Sequence, residues 1–113
     1  YIHAEGYSGS SLKHGPFALL DENMPVIIIN PKNEYYNKMN NAYEEIKSRN
    51  APIMLISDDN NCTKENTIIL PYNEIFGDLL SIIPLQLISY YLSIHKEINP
   101  DFPKNLAKTV VVE

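Results

Sequence analysis

Apolar residues along the chain fall into two patterns. Three short runs, at 26–31 ("VIIINP"), 53–58 ("IMLISD") and 67–71 ("TIILP"), are almost unbroken and rich in β-branched residues. Runs of this length read as strands buried on both faces. Between the first two, Tyr36, Met39, Tyr43 and Ile46 step by 3, 4 and 3 positions. That spacing predicts a helix with one apolar stripe. Asn33 is placed to cap its start, and Lys47 and Arg49 suit its carbonyl end. The stretch 75–98 is apolar nearly all round, which predicts a core helix. Asp78, Pro84 and Gln86 interrupt it, against the roughly 20 apolar residues that a membrane span needs. Pro84 either kinks this helix or opens its second half.

The order is therefore strand, helix, strand, strand, helix and tail. Apolar strands alternating with helices indicate an α/β fold, a parallel sheet with helices on its faces. The 53–58 to 67–71 connection is too short for a usual helical crossover. Three strands are few against the five or six of a typical sheet. The reading is a three-layer α/β domain lacking its N-terminal strands. Residues 1–98 form the domain and 99–113 a tail. The opening segment "YIHAEGYSGSSLKHGP" carries no clear start for any element, which suggests a piece of something longer.

Composition narrows the function. Hydrophobic residues make up 44% of the 113 positions and charged residues 20%, as in an ordinary globular domain. The net charge of -5 argues against nucleic acid, which favours a basic face. The single cysteine, Cys62, allows no internal disulfide and has no Cys or His at metal spacing, so it reads as a passive thiol and no metal site is expected. Asn61-Cys62-Thr63 fits a glycosylation sequon, but nothing else suggests secretion. No phosphate-binding glycine loop, H-E-x-x-H or nucleophile elbow is present, and no cofactor is expected.

Two segments could carry chemistry. In "SLKHGP", residues 11–16, His14 follows Lys13 and precedes a Gly-Pro turn. A histidine held there exchanges protons near neutral pH, or is simply a surface loop residue. His3 and His95 have weaker cases. Ser8, Gly9, Ser10 and Ser11 read as a loop or hinge more than a phosphate site. In "PKNLAKTVVVE", Lys108 lies four residues after Lys104. A lysine has a reference pKa of about 10.4, and burial or a neighbouring cation lowers it enough for a Schiff base with a carbonyl. Pro100 and Pro103 stiffen this segment, and Val110, Val111 and Val112 suit a short extended end. The residues alone also allow a solvated terminal lysine.

"AEGYSGSSLKHGPFALLDENMPVI", "IPLQLISYYL" and "DFPKNLAKTVVVE" occur here in that order. Together they resemble the C-terminal part of the glutamine–fructose-6-phosphate aminotransferase (isomerizing) family, the glucosamine-6-phosphate synthases. The resemblance covers essentially the whole chain, and the "LKHGP" and "NLAK" blocks carry it most specifically. It implies the second of two sugar isomerase (SIS) domains, flavodoxin-like, plus the tail. It implies conversion of fructose 6-phosphate and glutamine to glucosamine 6-phosphate and glutamate in a cytoplasmic homodimer, with no membrane. Ammonia would come from a glutaminase domain.

By the same resemblance Lys108 is the Schiff-base amine and Ala107 contacts the sugar. His14 assists ring opening, reaching the partner subunit's site, and Lys13 supports it. The family's carboxylate base lies upstream of Tyr1, and Glu5 is not that residue. The sugar-phosphate loop belongs to the first SIS domain, so the 113 residues alone are expected to be inactive. Ser11, Lys104, Thr109 and Val111 depart from residues common in the family, and Lys104 for Arg loses a planar bidentate donor. The alternative is a non-catalytic SIS module that senses a phosphosugar. The "NLAK" ending favours the enzyme, since a sensor has no use for a Schiff-base lysine.

Overall fold

The computed structural model describes residues 1–105. Its centre is a three-stranded parallel sheet in the order β1 (Val26–Ile29), β2 (Ile53–Ser57), β3 (Thr67–Ile69). Val26 pairs with Ile53 and Ile29 with Ile56, while Leu55 pairs with Thr67 and Ser57 with Ile69. The three apolar runs and the parallel α/β arrangement are as expected. The strands stop one or two residues early: the Asn30 and Leu70 N–H groups still donate to the Ile56 and Ser57 carbonyls, but Pro31 and Pro71 have no N–H with which to carry the ladder further.

Helix α1 (Tyr36–Lys47) carries the expected stripe. Tyr43 and Ile46 meet Ile28, Leu55 and Ala51 in one buried cluster, with Met39, Leu12, Phe17 and Cys62 packed around it. Full burial of an aliphatic side chain contributes about 1.5–3 kcal/mol. Asn33 does not cap the helix directly. Its Oδ1 accepts the Tyr35 N–H at 2.8 Å, and its carbonyl accepts the Tyr36 N–H at 3.1 Å, forming a turn just ahead of the helix. Tyr35 occupies the cap position.

The 75–98 run differs from its expectation. It divides into α2 (Gly77–Leu80) and α3 (Ile82–His95). Ser81 marks the break, its hydroxyl donating to the Asp78 carbonyl at 2.6 Å. Pro84 sits in the first turn of α3, where its missing N–H costs nothing. The run is not a core helix in this chain. Tyr91 is 65% exposed and Leu87 49%, and Pro84 is the one buried residue of α3. The described residues offer α3 little to pack on besides β3. A groove of about 450 Å³ lies between Ile68 and Pro84, Leu87, Ile88 and Tyr91. Across the same sheet face Ile27 and Ile29 are also exposed, although Ile56 on the central strand is fully buried. By length and composition Gly77–His95 would suffice to cross a membrane. The radius of gyration, 16.6 Å, exceeds the roughly 13 Å of a compact domain of about 100 residues.

The opening segment, without periodicity in the sequence, contains two short 3-10 helices. These are η1 (Gly9–His14) and η2 (Pro16–Leu19), joined by Gly15.

Candidate functional site

Gly15 decides the shape of the "LKHGP" segment. Its φ of 147° and ψ of -56° lie where residues with a Cβ are strained. The turn lets η1 end and η2 begin at once, with Pro16 in the first position of η2. His14 is the last residue of η1 and is exposed. Among the described residues it makes no hydrogen bond or ion pair. Its neighbour Lys13 is held, with Nζ 2.9 Å from the Glu45 carboxylate on α1. On the far side of the turn, Phe17 lies under the Arg49 guanidinium, 4.2 Å from ring centre to Cζ. At the start of η1, a Cβ on Gly9 would stand 2.7 Å from Met39 Sδ, so the Gly9 backbone packs directly on the end of the Met39 side chain.

Ser8 Oγ lies 2.7 Å from Ser11 Oγ and 3.2 Å from Ser10 Oγ. The serine cluster is thus engaged with itself, as a loop reading expects. Further upstream, His3 Nε2 is 2.9 Å from Glu5 Oε1, and the Tyr7 hydroxyl donates to Glu5 Oε2. The Tyr7 bond, then His3, holds the Glu5 carboxyl below the usual carboxylate range, and the same bond pushes the Tyr7 phenol up. The Tyr1 hydroxyl accepts the Lys104 N–H, so the first residue lies beside the start of the C-terminal segment. Lys108 and Ala107, the residues expected to meet the sugar, lie outside the described residues.

A second polar network was not foreseen. It forms beyond the carboxyl ends of β1 and β2, where ligand crevices of parallel sheets lie. Asp59 Oδ2 accepts the Tyr36 hydroxyl at 2.6 Å, and Oδ1 accepts Lys32 Nζ at 3.3 Å and the Asn61 N–H at 3.2 Å. These bonds, Tyr36 first, hold the Asp59 carboxyl below its ordinary value and push the Tyr36 phenol up. Ser57 Oγ donates to the Asn30 carbonyl at 2.8 Å and accepts the Asp59 N–H at 3.2 Å. Asn30 Nδ2 reaches Asn40 Oδ1 at 3.2 Å, which also accepts Lys64 Nζ at 2.6 Å. The network is nearly self-contained, so its chemistry is structural: it ties the strand ends to α1. Its one signal in the sequence is the acidic pair Asp58–Asp59 just after β2. Among the described residues no group of His, Cys, Asp and Glu is arranged to hold a metal.

Comparison with known proteins follows the same segments. The chain is 48% identical over its whole length to a probable glutamine–fructose-6-phosphate aminotransferase (isomerizing) of Acanthamoeba polyphaga mimivirus. It is 42% identical over its whole length to the glutamine–fructose-6-phosphate aminotransferase (isomerizing) of Rhizobium meliloti, and 40% to that of Thermococcus kodakarensis. It spans only 19%, 20% and 19% of the length of these three relatives. Among solved structures it is similar to the C-terminal domain of glucosamine-fructose-6-phosphate aminotransferase from Francisella tularensis. The TM-score is 0.77 at 33% identity, covering 88% of this chain and 29% of that one. Residues 1–96, which contain the sheet, all the helices and the His14 turn, match the SIS domain family. With the parallel β1-β2-β3 sheet and this extent of agreement, the chain belongs to the SIS domain family.

Proposed function

We propose that this chain is the C-terminal SIS region and tail of an enzyme that makes glucosamine 6-phosphate from fructose 6-phosphate and glutamine. The observation that carries this reading is 40–48% identity over the whole chain to relatives bearing that name. The residue types suit the chemistry. A ketose must open its ring before its carbonyl can be attacked, and a histidine can move the protons involved. His14, exposed at the end of η1, serves that step, with Lys13 beside it. Lys108 then forms a Schiff base with the open ketone, and Ala107 contacts the sugar. Ammonia adds to the iminium carbon and expels the Lys108 amine, leaving an imine at C2; transfer of a proton from C1 to C2, with the O1 proton passing to nitrogen, gives the amino aldose. The carboxylate base, the phosphate loop and the glutaminase that releases ammonia belong to other parts of the protein. His14 acts at the site of the partner subunit in a homodimer. The working enzyme is cytoplasmic, and its site binds phosphosugar, with no nucleic acid or membrane partner.

The test uses the full-length protein. It is incubated with fructose 6-phosphate and borohydride, and the reduced adduct is mapped by mass spectrometry. The expected result is a single hexitol phosphate on Lys108, absent from Lys108→Arg. Adduct at another lysine overturns the assignment.

A further inference from the structure

The segment around His14 is fastened to α1 and the turn after it at three places. Gly9 rests on Met39, Lys13 pairs with Glu45, and Phe17 stacks on Arg49. Met39 and Glu45 lie on α1 about 120° apart around its axis, and Arg49 lies in the turn that follows it, so the segment is held at separate points along the helix and its end. The contacts bracket His14 from both sides, while its own side chain has no hydrogen-bonding partner among the described residues. Arg49 is itself held, since its Nη1 donates to the Glu45 carbonyl. The two anchors are therefore linked.

Resting on the reading of His14 given above, we propose that Glu45 and Arg49 are positioning residues for the ring-opening step. They touch neither sugar nor reacting atoms. They hold Lys13 and Phe17, and through them the segment from which His14 projects. A general acid–base group works only within hydrogen-bond reach of its proton. The loss expected on releasing such a segment is large compared with the strength of two exposed contacts, because a misplacement of about 1 Å can cost roughly a hundredfold in rate.

The experiment compares two substrates in the full-length enzyme. Fructose 6-phosphate needs ring opening, whereas 5-deoxyfructose 6-phosphate cannot form a furanose ring and presents an open ketone. Glu45→Gln and Arg49→Leu should each lower kcat for fructose 6-phosphate by roughly tenfold, with little change in KM, and leave kcat for the deoxy sugar within about twofold of the parent enzyme. Arg49→Lys, which keeps a cation over the Phe17 ring, should restore most of the lost rate. Equal losses on both substrates would show a merely structural role and overturn the proposal, as would no loss on either. His14→Ala, run alongside, separates the two levels. If it retains full turnover of fructose 6-phosphate, the reading of His14 itself fails and the positioning roles fall with it. If it is impaired while the Glu45 and Arg49 variants are not, only the positioning roles fail.

Discussion

The two faces of the sheet are covered to different extents. On the α1 face, Ile28, Leu55, Tyr43 and Ile46 are closed off from solvent. On the α3 face Ile56 of the central strand is buried, but Ile27, Ile29 and most of α3 remain exposed. Both faces are equally apolar in sequence. The difference is that α1 arrives by a crossover between adjacent strands and lies across them, whereas α3 follows edge strand β3 and leaves Ile27 and Ile29 of the far strand β1 uncovered. A single face is thus enough to build a core, and it is the face on which the His14 turn is mounted. The opposite face leaves large apolar side chains of β1 and α3 exposed beside an apolar groove, the kind of surface that marks an interaction site when it is contiguous.

The sharpest way to break this contrast is a pair of truncations in the 113-residue chain. Leu55→Ala should destabilise it by about 2–5 kcal/mol, read from the midpoint of urea unfolding. Leu87→Ala on α3 should change it by no more than about 0.5 kcal/mol. Comparable losses would mean that the two faces are not in different states. Next in size is Gly15→Ala, where a Cβ meets no neighbour within 4 Å but the backbone is strained. The cost is about 1–3 kcal/mol if the turn is kept, and on the proposed function turnover by the full-length protein should fall with it.

The rim of the α1 face should also respond to acid. The Asp59 carboxyl is held low, chiefly by the Tyr36 hydroxyl. Its folded value lies below its unfolded one, so its stabilising effect is complete above the unfolded carboxylate value near 3.8. It is lost as pH falls through the lower folded value. Tyr36→Phe should flatten the acid limb of stability, measured by urea midpoints between neutral pH and pH 2. An unchanged limb would show that this bond does not set it. The smallest expected effect is on association. Tyr91→Ser should reduce light scattering by the concentrated chain while leaving its unfolding midpoint unchanged within about 0.5 kcal/mol.

The three strands and α1 were legible in the sequence because each has a clear period or an unbroken apolar run. Two things were not. The 3-10 turns around His14 have no period, and their form follows from one glycine at φ 147° and from contacts with a helix more than twenty residues away. Periodicity reports that α3 is apolar all round, but not whether anything covers it. Of the candidate site, Lys13 and His14 could be read from their motif. Glu45 and Arg49 could not, since charged residues on the outer side of a helix look alike whether or not a loop rests on them. Asp59 was hidden in the same way, because only the fold brings Tyr36 and Lys32 beside it.

The register of the sheet has a consequence for the order in which it assembles. Leu55 meets Thr67, twelve residues on, whereas Val26 meets Ile53, twenty-seven residues on. Closing the longer loop costs about 0.6 kcal/mol more, one doubling of length. Chain statistics therefore favour β2–β3 as the first pair to meet, with β1 and α1 joining afterwards to seal the core. On that order, early folding is set by the polar loop at 58–66, and changes in its length should alter the folding rate more than the unfolding rate.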